Sequence, residues 1–144
     1  MKKGVFSLLF CFLLMGCNQK SVEEKIENLN GYWEIKTAEL PDGKIKEYRI
    51  SSVVDYIEIE DSEGFRKKMQ PQFDGGFLTS DDVEMIQVKV ENDSINLYYT
   101  TAYNSWKETL LSSEEDEIEI LNEDGIIYTY KRFTPYSLED DKEK

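Results

Sequence analysis

Apolar and polar side chains alternate with a period of two along most of this chain, as expected for strands with one face buried and the other in water. Trp33, Ile35 and Thr37 alternate with Tyr32, Glu34 and Lys36, and Asp42-Gly43 ends the run. Val53, Asp55, Ile57 and Ile59 alternate with Tyr56, Glu58 and Glu60, and Glu63-Gly64 predicts a turn into a partner strand carrying Phe65, Lys67 and Met69. Pro71 and Asp74-Gly75-Gly76 interrupt the pattern, so Phe77 and Leu78 are expected in a short edge or loop segment. The second half is more regular. Ile86, Val88 and Val90 share a face, Glu91-Asn92-Asp93-Ser94 turns, and Ile95, Leu97, Tyr99 and Thr101 return on the matching face. Further strands are expected over 106–111, 117–121 and 126–133, separated by the acidic loop Glu114-Glu115-Asp116 and the turn Asp124-Gly125.

About eight short strands at near-regular spacing predict an all-β fold, a small antiparallel barrel or sandwich. A helical signal occurs only near the start. Ser21 followed by Glu24 is a capping box for a short helix carrying Val22, Ile26 and Leu29, while the same polar stretch reads equally well as a flexible tether. At 144 residues one domain is expected, over 29–135, followed by a charged tail at 136–144 that reads as disordered.

The first residues have a different character. Met1-Lys2-Lys3 is basic, and Val5 to Met15 is apolar except at Ser7. Eleven residues rising about 1.5 Å each cannot cross a hydrocarbon core of about 30 Å, so the run reads as the core of a signal peptide. Leu14-Met15-Gly16-Cys17 resembles the lipobox of bacterial lipoproteins. That resemblance implies removal of residues 1–16, diacylglycerol and acyl chains on Cys17, and a lipidated tether or short helix over 17–28. Several acyl chains, at roughly 0.8 kcal/mol per buried CH₂, make a stable membrane anchor. Asn18 is not the Asp that favours inner-membrane retention in lipoproteins of this kind, so the resemblance implies the bacterial outer membrane.

Charge and composition narrow the chemistry. The chain holds 17 basic and 30 acidic residues, a net charge of −13, and such a surface repels nucleic acid. With Cys11 in the signal segment and Cys17 at its end, the domain has no thiol for a disulfide, a metal or a nucleophile. The chain has no His, which removes Ser-His-Asp and Cys-His catalysis and the commonest zinc ligand. Carboxylate pairs such as Asp81-Asp82 are unavoidable among 30 acids, and the run Glu114 to Glu117 lacks the glycine-centred loop of an EF-hand. The expectation is a non-enzymatic protein without metal or cofactor.

Gly31-Tyr32-Trp33 near the start of the first strand, with Arg132 near the end of the last, resembles the lipocalin signature in which an arginine lies across the tryptophan. The resemblance implies a lipocalin-like barrel with Gly31, Trp33 and Arg132 at its closed end, where a guanidinium on an indole face is worth about 0.5 to 2 kcal/mol. It also implies binding or carriage of a small apolar ligand. Tyr99, Trp106, Tyr128 and Tyr130 are candidates for lining its cavity, or else they pack as core. Two function classes follow: a lipid-anchored envelope lipoprotein that binds a small ligand, or an interaction lipoprotein with a filled core that works on an envelope protein partner as inhibitor or assembly factor. An apolar cavity of about 300 Å³ or more would favour the first.

Overall fold

The computed structural model describes residues 19–135, so the expectations for the signal segment 1–16, for Cys17 and for the tail 136–144 lie outside the described residues. One helix, α1 (Val22–Glu27), precedes ten strands: β1 (Gly31–Glu39), β2 (Ile45–Glu47), β3 (Val54–Glu60), β4 (Glu63–Pro71), β5 (Phe77–Thr79), β6 (Glu84–Glu91), β7 (Ser94–Thr100), β8 (Ser105–Ser113), β9 (Glu117–Leu121) and β10 (Ile127–Arg132). Eight of them form a ring in chain order, β1-β3-β4-β6-β7-β8-β9-β10, every neighbour antiparallel. The β1–β10 ladder, from Trp33↔Arg132 to Glu39↔Ile127, closes the barrel. β2 and β5 stand outside the ring, on the far half of β1 and on the end of β4. The fold is an all-β, eight-stranded antiparallel barrel with two extra strands and one short helix.

Two departures from the alternation have physical causes. β2 went unread because its three residues are all exposed, so it has no buried face to leave a period. The turn expected at Glu63-Gly64 falls two residues earlier, at Asp61-Ser62, where Asp61 takes a left-handed φ of 58°. Gly64 lies inside β4 opposite Ile59. A Cβ there would overlap the Glu58 carbonyl oxygen and approach Ile59 Cα to 2.8 Å, so this glycine permits two backbones to come close. Gly64→Ala is expected to destabilise the barrel by about 1 to 3 kcal/mol through a forced backbone shift. An unchanged urea midpoint would show that the strands have slack to give.

The meander divides the barrel into two ends. Turns 61–62, 92–93 and 114–116 gather at the closed end with α1, and connections 40–44, 72–76, 101–104 and 122–126 gather at the mouth. The core fills the closed half with Leu29, Trp33, Ile57, Ile59, Ile86, Val88, Ile95, Leu97, Tyr99, Leu110, Ile118 and Ile120. Ser21 caps α1 by accepting from Glu24 N at 3.1 Å, and the helix sets Ile26 against that core. Trp33, 1% exposed, donates its indole N–H to Leu29 O at 2.8 Å. The Arg132 guanidinium carbon lies 4.0 Å from the Trp33 ring centroid. Its nitrogens donate to the carbonyls of Asn28 (2.9 Å), Asn30 (2.5 Å) and Glu115 (2.8 Å), joining the end of α1, the start of β1 and the β8–β9 turn. A Cβ on Gly31 would sit 2.6 Å from Arg132 Nη1, so glycine makes room for this latch.

Candidate functional site

Above the apolar half, the inward positions of β3, β4, β6 and β8 carry charge. Arg66 pairs with Ile57 across the β3–β4 ladder and so points inward, leaving Phe65 and Lys67 on the outer wall. There Phe65 joins Tyr56, with ring centroids 6.0 Å apart. Inside, Arg66 donates through Nε to Glu84 Oε2 at 2.5 Å and through Nη1 to Glu108 Oε2 and the Tyr99 hydroxyl, both at 3.4 Å. Its guanidinium carbon also lies 4.4 Å from the Tyr99 ring centroid. Asp55, likewise buried, has Oδ1 2.5 Å from Lys68 Nζ but accepts no well-directed hydrogen bond there.

Below this cluster the barrel is filled. The gap among Trp33, Asp55, Ile57, Arg66, Ile118, Ile120 and Tyr130 leaves no room for a water molecule. Above it a recess of about 330 Å³ opens at the mouth, with Trp106 and Glu108 of β8, Tyr128 and Tyr130 of β10, and Asn122, Glu123 and Asp124 of the β9–β10 turn in its wall. Arg66 forms its base and Lys107 its edge. A second groove, about 410 Å³, lies outside the barrel between α1 and the β3–β4 turn and draws on none of these residues.

The four candidate cavity aromatics therefore divide. Tyr99 is core, 1% exposed and stacked on Trp106 with centroids 5.2 Å apart and planes 8° apart. Trp106 and Tyr130 rest on the core with one part and face the recess with another, while Tyr128 lines the recess. Of these four charges the alternation placed only Asp55, on the face of Ile57 and Ile59; Arg66, Glu84 and Glu108 had no part in the sequence expectation. The register offered a signal, because a hairpin that sets Ile57 inward sets Arg66 inward with it. Among the described residues no three carboxylates converge closely enough to hold a metal ion.

Burial holds the Glu108 carboxyl above its ordinary value of 4.5, with Arg66 and the Tyr99 hydroxyl pulling the other way. Burial likewise raises the Tyr99 and Tyr130 hydroxyls. For Glu108 the unfolded state loses its proton first as pH rises, so its contribution to stability is full below about 4.5 and fades as pH climbs through the raised folded value. Relative to Glu108→Gln, the wild type should thus lose stability from pH 4 to pH 7. Denaturant unfolding of both at the two pH values checks this, and a difference independent of pH would refute it.

A closed eight-stranded meander with the helix and latch at one end and a recess at the other is matched at the level of sequence. The lipocalin-like domain family matches residues 29–142. The chain belongs to the lipocalin-like family. No curated protein matches this sequence. Among solved structures, this lipocalin-like chain resembles a lipocalin-like protein from Bacteroides uniformis at 12% identity, with 74% of this chain and 99% of that one covered and a TM-score of 0.46. A protein from Bacteroides eggerthii matches at 11% identity, covering 73% and 99%, also with a TM-score of 0.46. Apocrustacyanin C1 matches at 9% identity, covering 80% and 66%, again with 0.46. The family assignment rests on the sequence match over residues 29–142.

Proposed function

We propose that this protein is a lipid-anchored lipoprotein of the bacterial outer membrane that binds a small ligand at the barrel mouth, without turning it over. The apolar cavity set as the criterion is absent among the described residues, and the observation that carries the ligand reading is instead a mixed polar and aromatic recess of about 330 Å³ bounded by Trp106, Tyr128 and Tyr130, within the lower range of small-molecule sites. A wholly apolar cargo has no volume below it, so the ligand rests on the charged cluster rather than replacing it. The lipobox resemblance at Leu14 to Cys17 supports the anchor. The helix cap Ser21 lies four positions beyond Cys17, a reach of about 14 Å when extended. The closed end then rides close to the bilayer, and the mouth opens away from it.

The anchor is tested by Cys17→Ser, which should move the protein from the membrane fraction to the soluble one. Retention on membranes after a high-salt wash would remove the lipoprotein reading. The ligand is tested by mass spectrometry of small molecules released from the purified protein.

A second reading, an interaction lipoprotein with a filled core, is favoured by exposed apolar side chains on loops: Tyr103, at the mouth, is 98% exposed, and Ile50, in the β2–β3 connection alongside β1, is 87% exposed. Its signature is an empty extract together with a cross-link to an envelope protein that Ile50→Ser and Tyr103→Ser abolish.

A further inference from the structure

Resting on the mouth-binding reading, we propose that the recess takes a small organic cation, an amine carried on an aromatic body, with its ring against Trp106 and Tyr128 and its charge toward Glu108, Glu123 and Asp124.

The argument begins with charge compensation inside the barrel. Three carboxylates, on Asp55, Glu84 and Glu108, share one interior guanidinium, on Arg66. Lys68 reaches in from the mouth to answer Asp55. That leaves Arg66 between two glutamates, and its contacts are unequal: Glu84 at 2.5 Å, Glu108 at 3.4 Å. The loosely held carboxylate is the one in the recess wall. At the rim, Glu123 and Asp124 form no ion pair among the described residues. Lys107 sits opposite Tyr98 on the β7–β8 ladder and alternates to the outer face, away from Trp106 and Glu108. The recess thus sets three acids, Glu108, Glu123 and Asp124, against Arg66 at its base and Lys107 at its edge, in a chain whose net charge of −13 already draws cations and repels anions.

The aromatic wall points the same way. The face of Trp or Tyr attracts a cation through its quadrupole, most strongly where water is partly excluded. Four such contacts occur among the described residues, and two of them lie on core rings, Arg66 over Tyr99 and Arg132 over Trp33. Trp106, Tyr128 and Tyr130 in the recess have no cation over their rings among the described residues. A ligand amine supplies one, together with a second positive charge for Glu108, whose contact with Arg66 is the longer of the two at 3.4 Å.

The test uses the purified full chain and three compounds of one shape: phenethylamine, 2-phenylethanol and phenylacetate. Binding is read by calorimetry and by fluorescence, to which Trp106 responds, since the other tryptophan, Trp33, is buried. Phenethylamine should bind at least tenfold more tightly than 2-phenylethanol, phenylacetate should not bind, and added salt should narrow the gap. The double variant Glu123→Gln/Asp124→Asn alters only exposed turn side chains and should weaken the amine at least threefold, leaving the alcohol unchanged. Equal binding of amine and alcohol would overturn the cation preference while leaving the mouth as a ligand site. Tightest binding of phenylacetate would overturn it in favour of Arg66 as the anchor, and an unmoved double variant would place the amine elsewhere. Failure of all three compounds to bind would overturn this inference and count against the mouth reading with it.

Discussion

Trp33→Ala should lower the unfolding free energy by about 3 to 5 kcal/mol, the range for truncating a large buried aromatic. The indole is 1% exposed, stands at the centre of the core cluster and donates to Leu29 O. Its removal leaves a cavity beneath α1 and an arginine without its ring. Arg132→Ala should cost less, about 1 to 3 kcal/mol, because the core stays filled while three main-chain carbonyls lose a charged donor. The two losses should not sum, since both substitutions break the 4.0 Å stack, and a double-mutant cycle in urea reads the coupling directly. Strict additivity would mean that the stack contributes nothing and that Arg132 acts through its hydrogen bonds alone.

Arg66→Ala is expected to cost about 3 to 5 kcal/mol at neutral pH, for a different reason. No large void opens, because the guanidinium lies beside the recess. The cost comes from Glu84 and Glu108 left facing each other without a cation, in a place where water reaches them poorly. It should shrink at about pH 4, where Glu108, held above its ordinary value by burial, takes up a proton. Arg66→Ala/Glu108→Gln should recover part of the loss at neutral pH. A penalty below about 1 kcal/mol that stays constant with pH would show that the carboxylates find other partners.

The strands of the ring were legible because each buries one face. Ile86, Val88 and Val90 against Ile95 and Leu97 leave a clear period, and the Asn92-Asp93 turn, with φ of 48° and 65°, meets the twist of a two-residue hairpin. β2 was not legible, because three exposed residues paired with one strand carry no period. The hairpin of β3 and β4 was read with its turn two residues late, because Gly64 looks like turn chemistry and acts instead as clearance between backbones. The aromatic wall of the recess was visible as types of residue, though not how it divides between core and mouth. Of the charged cluster, only Asp55 was visible, on the face of Ile57 and Ile59. In an acidic chain, Arg66, Glu84 and Glu108 look like solvated surface, and only the register, within the β3–β4 and β7–β8 hairpins and between β4 and β6, turns them inward.

The latch joins Arg132 to Asn28 and Asn30, 104 and 102 residues away, and β10 is the last strand to be made. Barrel closure therefore waits for the far end of the chain, and closing so long a loop pays its entropy before the β1–β10 ladder returns any of it. During synthesis or passage across a membrane, β1 has only β2 and β3 beside it until the final strand emerges, and its β10-facing edge stays unpaired. Loss of β10 by truncation would leave that edge and the opposing edge of β9 as templates for pairing between chains, so a shortened protein would be expected to aggregate rather than persist as a smaller barrel.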